Sequence, residues 1–202
     1  MRAFDRDSIT PCYLFARQYG FCGPRIASSL FYRHRARYVG SRVFTRAVTE
    51  TFAEFKYQHL RLILGKPWWM HQAKQARSSM HAIMQCAVQY HELARRHLPD
   101  GHQKGQVFSV APTNAVFELL HLADDVLRLT ASGTGIPDTV LDRLRKRDSF
   151  QGARFEIFIA GLLLRCGFII EWLDPHLKGG EFQSRDPQSG ELSVPPGLLN
   201  SR

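Results

Sequence analysis

The sequence predicts an α+β chain, mainly α-helical in its N-terminal region and closed by one further helix and an incomplete three-strand meander. Three observations predict it. Apolar residues recur every three or four positions through most of the span from Phe44 to Leu127, the period of an amphipathic helix. The segment "SFQGARFEIFIAGLLLRCG" then becomes apolar nearly all round and stops at Gly167. Directly after it come "FIIEWL", "EFQSR" and "ELSV", short runs with β-branched and aromatic residues, separated by the turn sequences "DPHLKGG" and "DPQSG".

Taken in order, residues 1–40 read as an irregular basic segment, punctuated by Pro11, Gly20, "CGP" at 22–24 and Gly40, with one short helix over 26–37. A helical domain follows over 41–147. Its first helix starts at a Ser41 cap, carries Phe44, Val48, Phe52, Phe55 and Leu62, and is stopped by Gly65 and Pro67. A second long helix spans 68–98, with Ala73, Ala76, Met80, Ile83, Ala87, Tyr90 and Ala94 as its stripe and "PDG" as its end. The third starts at Thr113 or Asn114 and turns Val116, Leu119, Leu120, Ala123 and Leu127 inward. "ASGTGIPD" is a loop, from which Asp138 caps the basic helix "TVLDRLRKR". Residues 148–202 form the third unit, the helix and its three strands.

The apolar share of 44% suits a globular protein and is too high for a wholly disordered one. Cys12, Cys22, Cys86 and Cys166 show no paired spacing, so reduced thiols in a cytoplasm are the simplest reading. The longest apolar run, "IFIAGLLL", is far below the roughly 20 residues of a membrane span and reads as a buried helix; no membrane partner is expected.

The net charge of +9 is unevenly placed: between Asp7 and Glu50 there are seven arginines and no acid. Cations interleaved with aromatics, as in "FYRHRARY", suit a phosphate backbone, because each one seated on a phosphate releases counterions. The candidate contacts to DNA or RNA are Arg33, Arg35, Arg37, Arg42 and Arg46, with Arg143, Arg145, Lys146 and Arg147 behind them. The alternative is a solvated basic surface. The numerous histidines match no common ligand spacing. His121 and Asp125, one turn apart in "HLADD", read as a hydrogen-bonded helix pair ahead of a metal site. Trp68 and Trp69 read as packing anchors, and no nucleophilic triad is visible.

The stretch "FEIFIAGLLLRCGFIIEWLD", then "KGGEF", then "RDPQSGELSV", about residues 149–194, resembles the opening of the PD-(D/E)XK, or restriction-endonuclease-like, nuclease superfamily. The resemblance implies a helix carrying an accessory acid, matched by Glu156, and a strand supplying the first metal-binding acid, matched by Glu181. It also implies an acid-x-lysine triplet on the third strand, completing a Mg²⁺ site that polarises a phosphate. Here those three positions read Pro195, Pro196, Gly197, none of which can bind a metal or carry charge.

The expectation is therefore a nucleic-acid-associated protein with a degenerate or truncated nuclease-like segment, catalytically inactive, its reading frame departing from the pattern near Val194. Glu156 and Glu181 are the catalytic candidates of this incomplete site, and Glu181 is its metal candidate. Mg²⁺ enters only if the site is completed. Two alternatives stand beside it. One is a non-enzymatic helical interaction module that takes a partner strand on its open sheet edge. The other is a metal-dependent DNA endonuclease completed by another subunit.

Overall fold

The computed structural model describes residues 26–31, 34–39, 42–97, 109–173, 182–185 and 192–193. These residues form an α+β structure, mostly helical, with six helices and two three-stranded antiparallel sheets among them.

The first sheet is a meander of β1 (Ile26–Phe31), β2 (His34–Val39) and β3 (Arg42–Ala47). This corrects two expectations. Ile26–Phe31 and His34–Val39 are strands rather than a helix in an irregular segment, and Arg42–Ala47 is a strand where the helix expected from Ser41 would run. The strands on either side of the expected boundary between residues 40 and 41, β2 and β3, pair in this sheet. The steps from Phe44 to Val48 to Phe52 are four residues each, two strand repeats as much as one helical turn, so the spacing alone could not separate the two. The β-branched Val39, Val43 and Thr45 then favour the strand. Pairing sets Arg37 between Ser28 and Phe44, and Val39 between Ile26 and Arg42.

The first helix, α1 (Phe52–Leu64), begins where a capping box permits it. The Thr51 hydroxyl accepts the Glu54 amide at 3.1 Å, and the Glu54 carboxylate accepts the Thr51 amide at 2.7 Å. Gly65, at φ 87°, ends it in a conformation that suits glycine. The second expected helix is two. α2 (Lys66–Gln72) stops, and α3 (Ala82–Arg96) restarts at His81, whose Nδ1 accepts the Ile83 amide. The expected stripe is weakest there: Ala73 and Ala76 bring little apolar area to hold a continuous helix.

α4 (Asn114–Ala131) starts at its Thr113 cap, as expected, and is the central helix, packing against α1, α3 and α6 (Phe150–Arg165). α5 (Asp138–Arg145) packs on α6. Pro137, rather than Asp138, occupies its N-cap; Asp138 lies in the first turn, where the helix dipole favours a negative charge. After Gly167 (φ 94°) come β4 (Ile169–Trp172), β5 (Phe182–Arg185) and β6 (Leu192–Ser193), an antiparallel meander in the expected order.

The main core joins Tyr57, Leu60, Ile83, Leu119, Val126, Leu144, Ile157 and Ile170, so it crosses position 147 without a break. A smaller cluster of Val39, Phe55, Leu127 and Ala131 fastens the first sheet to α1 and α4. Among the described residues no helix is long and apolar enough to cross a membrane.

His59 sits buried where the first sheet meets α1. Its Nε2 lies 2.8 Å from the Thr130 hydroxyl, and because that hydroxyl donates to the Val126 carbonyl, Nε2 is the donor of the pair. Burial, reinforced by the Arg46 and Arg42 charges, lowers its pKa to about 4. The unfolded chain therefore binds more protons between about pH 6.5 and 4. Stability contributed by the neutral ring is complete above pH 6.5 and is lost as the pH falls toward 4, a loss on the order of 3 kcal/mol. Urea unfolding across this range should show that slope, and His59→Gln should flatten it.

Candidate functional site

Four of the cations proposed for phosphate contact, Arg35, Arg37, Arg145 and Arg147, donate to the chain's own backbone carbonyls. Arg35, Arg37, Arg42, Phe44 and Arg46 fall on the sheet face that carries buried Val39, because alternate strand residues share a face. Arg37 is only 2% exposed. It donates at 2.7 Å to the Glu50 carbonyl and at 3.4 Å to the Ser28 hydroxyl, and lies 4.9 Å from the Phe52 ring centroid. Burial, with the nearby Arg35 charge, holds its pKa below the ordinary arginine value. Arg35 donates to the Val48 carbonyl at 3.0 Å, and Arg46 pairs with Glu50 at 3.7 Å. These three arginines gather the turn between β3 and α1. Arg37 is thus withdrawn from any phosphate, contrary to expectation. Arg42 remains exposed on β3, and Arg33 lies outside the described residues.

The second basic group behaves alike. Arg145 donates to the carbonyls of Ile63 and Leu64 at 3.1 and 3.0 Å, capping the C-terminus of α1, and its own carbonyl accepts the Trp68 indole N–H. Arg147 donates to the Ser78 carbonyl at 3.3 Å, while Lys146 is exposed. Arg145→Met should therefore lower stability by about 2 kcal/mol, the usual effect of losing charged hydrogen bonds. Thermal unfolding would record that, and DNA retardation should not change.

Of the expected catalytic pair, only Glu156 lies among the described residues. Glu156, on α6, receives both terminal nitrogens of Arg143 at 2.7 and 2.6 Å, a bidentate pair that occupies both its oxygens. Glu181 and the Pro195–Gly197 positions lie outside the described residues. No group of three His, Cys, Asp or Glu among the described residues could hold a metal.

What the structure does assemble lies between α4 and α6. Asp124 and Asp125 are consecutive and serve mainly different helices, with Arg165 of α6 also 3.9 Å from Asp124. Asp124 accepts Lys56 of α1 at 2.6 Å and Arg128 of α4 at 2.7 Å. Burial would raise its pKa, but those two bonds outweigh it and hold the carboxyl below the ordinary range. Asp125, 2% exposed, pairs with Arg165 of α6, and there burial wins and raises the pKa. The carboxylate fits because Gly161 faces it: a Cβ there would stand 2.5 Å from Asp125 Oδ1 and 2.8 Å from Cγ. Gly161→Ala should force α4 and α6 apart and reduce stability by roughly 1–3 kcal/mol, measurable by urea titration.

Beside this pair a cavity of about 290 Å³ opens, lined by Glu118, His121, Leu122 and Asp125 of α4 and by Gln151, Arg154, Phe155 and Phe158 of α6. Glu118 and Arg154 form an ion pair across it. His121 lines this cavity and lies against Phe117, with 4.2 Å between ring centroids and the rings tilted by 49°. The outer faces are strongly apolar: Phe117 is 53% exposed, Phe155 62%, Phe158 42% and Leu162 41%. Sequence reasoning took α6 for a buried helix, and only its Ala153–Ile157–Ala160–Leu164 face is. The signal was present in its apolarity all round, which asks for covering on more than one side.

A second, shallower cavity of about 510 Å³ lies where Thr134–Pro137 approach β4, and Trp172 donates there to the Gly135 carbonyl at 3.0 Å. It presents no nucleophile paired with a base. Comparison with known protein families, with curated proteins and with solved structures finds no match to this chain.

Proposed function

We propose that this chain is a non-enzymatic protein-interaction module that receives its partner on the face shared by α4 and α6. The observation that carries this reading is the cluster Phe117, Phe155, Phe158 and Leu162, large apolar side chains left in water beside a ready cavity. Contiguous apolar surface of this kind marks recognition sites, since water exposure of aromatic area is unfavourable unless a partner covers it. The arrangement of the cations points the same way. Arg35, Arg37, Arg145 and Arg147 already donate to carbonyls of the chain, which leaves fewer free cationic donors for phosphate than the +9 total suggests. A reducing cytoplasm is the setting this reading adopts, in keeping with the free thiols of Cys86 and Cys166.

A second reading is favoured by one observation: α6 is followed by an antiparallel meander in the order that the nuclease resemblance implies. On that reading the chain is nucleic-acid-associated and carries a degenerate nuclease-like segment, or is a metal-dependent endonuclease completed by another subunit. Arg42 and Lys146 would then supply phosphate contacts. Glu156 would have to leave Arg143 before serving any metal.

Two measurements separate the readings. An apolar fluorescent dye should brighten on the folded protein and lose that response in Phe155→Glu. Incubation with plasmid and single-stranded DNA, with Mg²⁺ or Mn²⁺, should give neither nicking nor salt-sensitive retardation. Cleavage abolished by Glu181→Ala would overturn the non-enzymatic reading and restore the nuclease.

A further inference from the structure

Resting on the interaction-module reading, we infer that the partner seated on the α4–α6 face is a second copy of this chain, with the two α6 helices packed antiparallel about a two-fold axis near Phe158. Three properties of the face select that occupant.

The first is its shape. Phe155, Phe158 and Leu162 sit three and four residues apart and so form one stripe along two turns of α6. Reversing such a stripe about its middle residue brings Phe155 of one copy against Leu162 of the other, and Phe158 against Phe158. A two-fold interface requires this self-complementarity, in which each contact occurs twice. The cavity beside Phe155 gives an incoming aromatic ring a place to enter.

The second is its charge. The ionic groups at this face are already neutralised within the chain: Glu118 by Arg154 toward one end, Asp125 by Arg165 toward the other. A chain of net charge +9 repels its own copies over most of its surface, but this face adds no net charge to that repulsion. Nor does it offer a strongly acidic or basic partner any attraction. A neutral apolar face is matched by another such face.

The third is its area. With 150–250 Å² for each aromatic side chain, the exposed fractions of Phe117, Phe155, Phe158 and Leu162 amount to roughly 400 Å² of apolar surface per copy. Homodimer interfaces are about 65% apolar, so this corresponds to roughly 600 Å² on each side. The total, about 1,200 Å², reaches the lower end of specific interfaces. The expected dimer is therefore reversible and concentration-dependent.

Sedimentation equilibrium of the full chain over a wide concentration range tests the inference. The wild-type protein should show a monomer–dimer equilibrium, and Phe158→Glu should weaken it roughly thirtyfold or more, as removal of a central aromatic does. Unchanged circular dichroism would show that the variant folds. The antiparallel register gives a second check: Phe155→Glu alone and Leu162→Lys alone should each dissociate the dimer. The double variant should re-form it, now in a salt-sensitive way. A wild-type protein that stays monomeric throughout, or a dimer indifferent to Phe158→Glu, would overturn the second-copy inference. If that monomer still brightens the apolar dye through Phe155, the docking face stands and only its occupant is wrong. If the dye ignores the face as well, the interaction-module reading fails with it.

Discussion

Two adjacent carboxylates on α4 tie that helix to its two main packing partners, α1 and α6. Asp124 draws in α1 through Lys56, and Asp125 draws in α6 through Arg165, so consecutive residues tie helices on different sides of the central one. Burying these charges is unfavourable in itself, and the mutual attraction offsets that only while every partner is present. The cluster therefore acts less as a source of stability than as a condition on geometry. Gly161 is part of that condition. Its missing side chain lets the Asp125 carboxylate lie against α6, and the close approach sets how α6 is rotated about its own axis.

That rotation decides which residues of α6 face water. With Ala153, Ile157, Ala160 and Leu164 turned into the core, Phe155, Phe158 and Leu162 must turn out, since both sets cannot share one helix face. The exposed aromatic stripe is thus a consequence of the ionic lock behind it. The candidate recognition surface and the buried ion cluster are the two faces of the same helix pairing.

The basic charge of the chain has a different physical role from the one its abundance suggests. A guanidinium offers five donors in a fixed fork, which suits a turn or a helix end whose carbonyls lack partners. Arg145 fills that role at the end of α1, and Arg35 and Arg37 fill it at the turn after β3. Arg145 also pairs with Asp142 at 2.8 Å, whereas Arg35 and Arg37 donate to neutral carbonyls. The acid-free stretch before Glu50 can therefore reflect backbone satisfaction as much as attraction to an external polyanion.

Much of the chain's local structure was legible in its residues. The α4 start at Thr113, the loop before Asp138, the Gly167 stop and the order of the last three strands all follow from short-range chemistry: caps, glycine conformations, turn residues and β-branched runs. The first sheet was not legible, because four-residue apolar spacing satisfies a strand and a helix alike, and pairing with neighbours settled the choice. Among the site residues, Glu156 could be recognised as an acid near the start of a helix, but its capture by Arg143 depended on how α5 folds against α6. By itself the sequence determined the mostly helical α+β class and the positions of most helix ends, since those depend on interactions within a few residues. Only the tertiary structure decided which arginines are withdrawn and which face of α6 stays in water, because both depend on partners far along the chain that packing alone brings within reach.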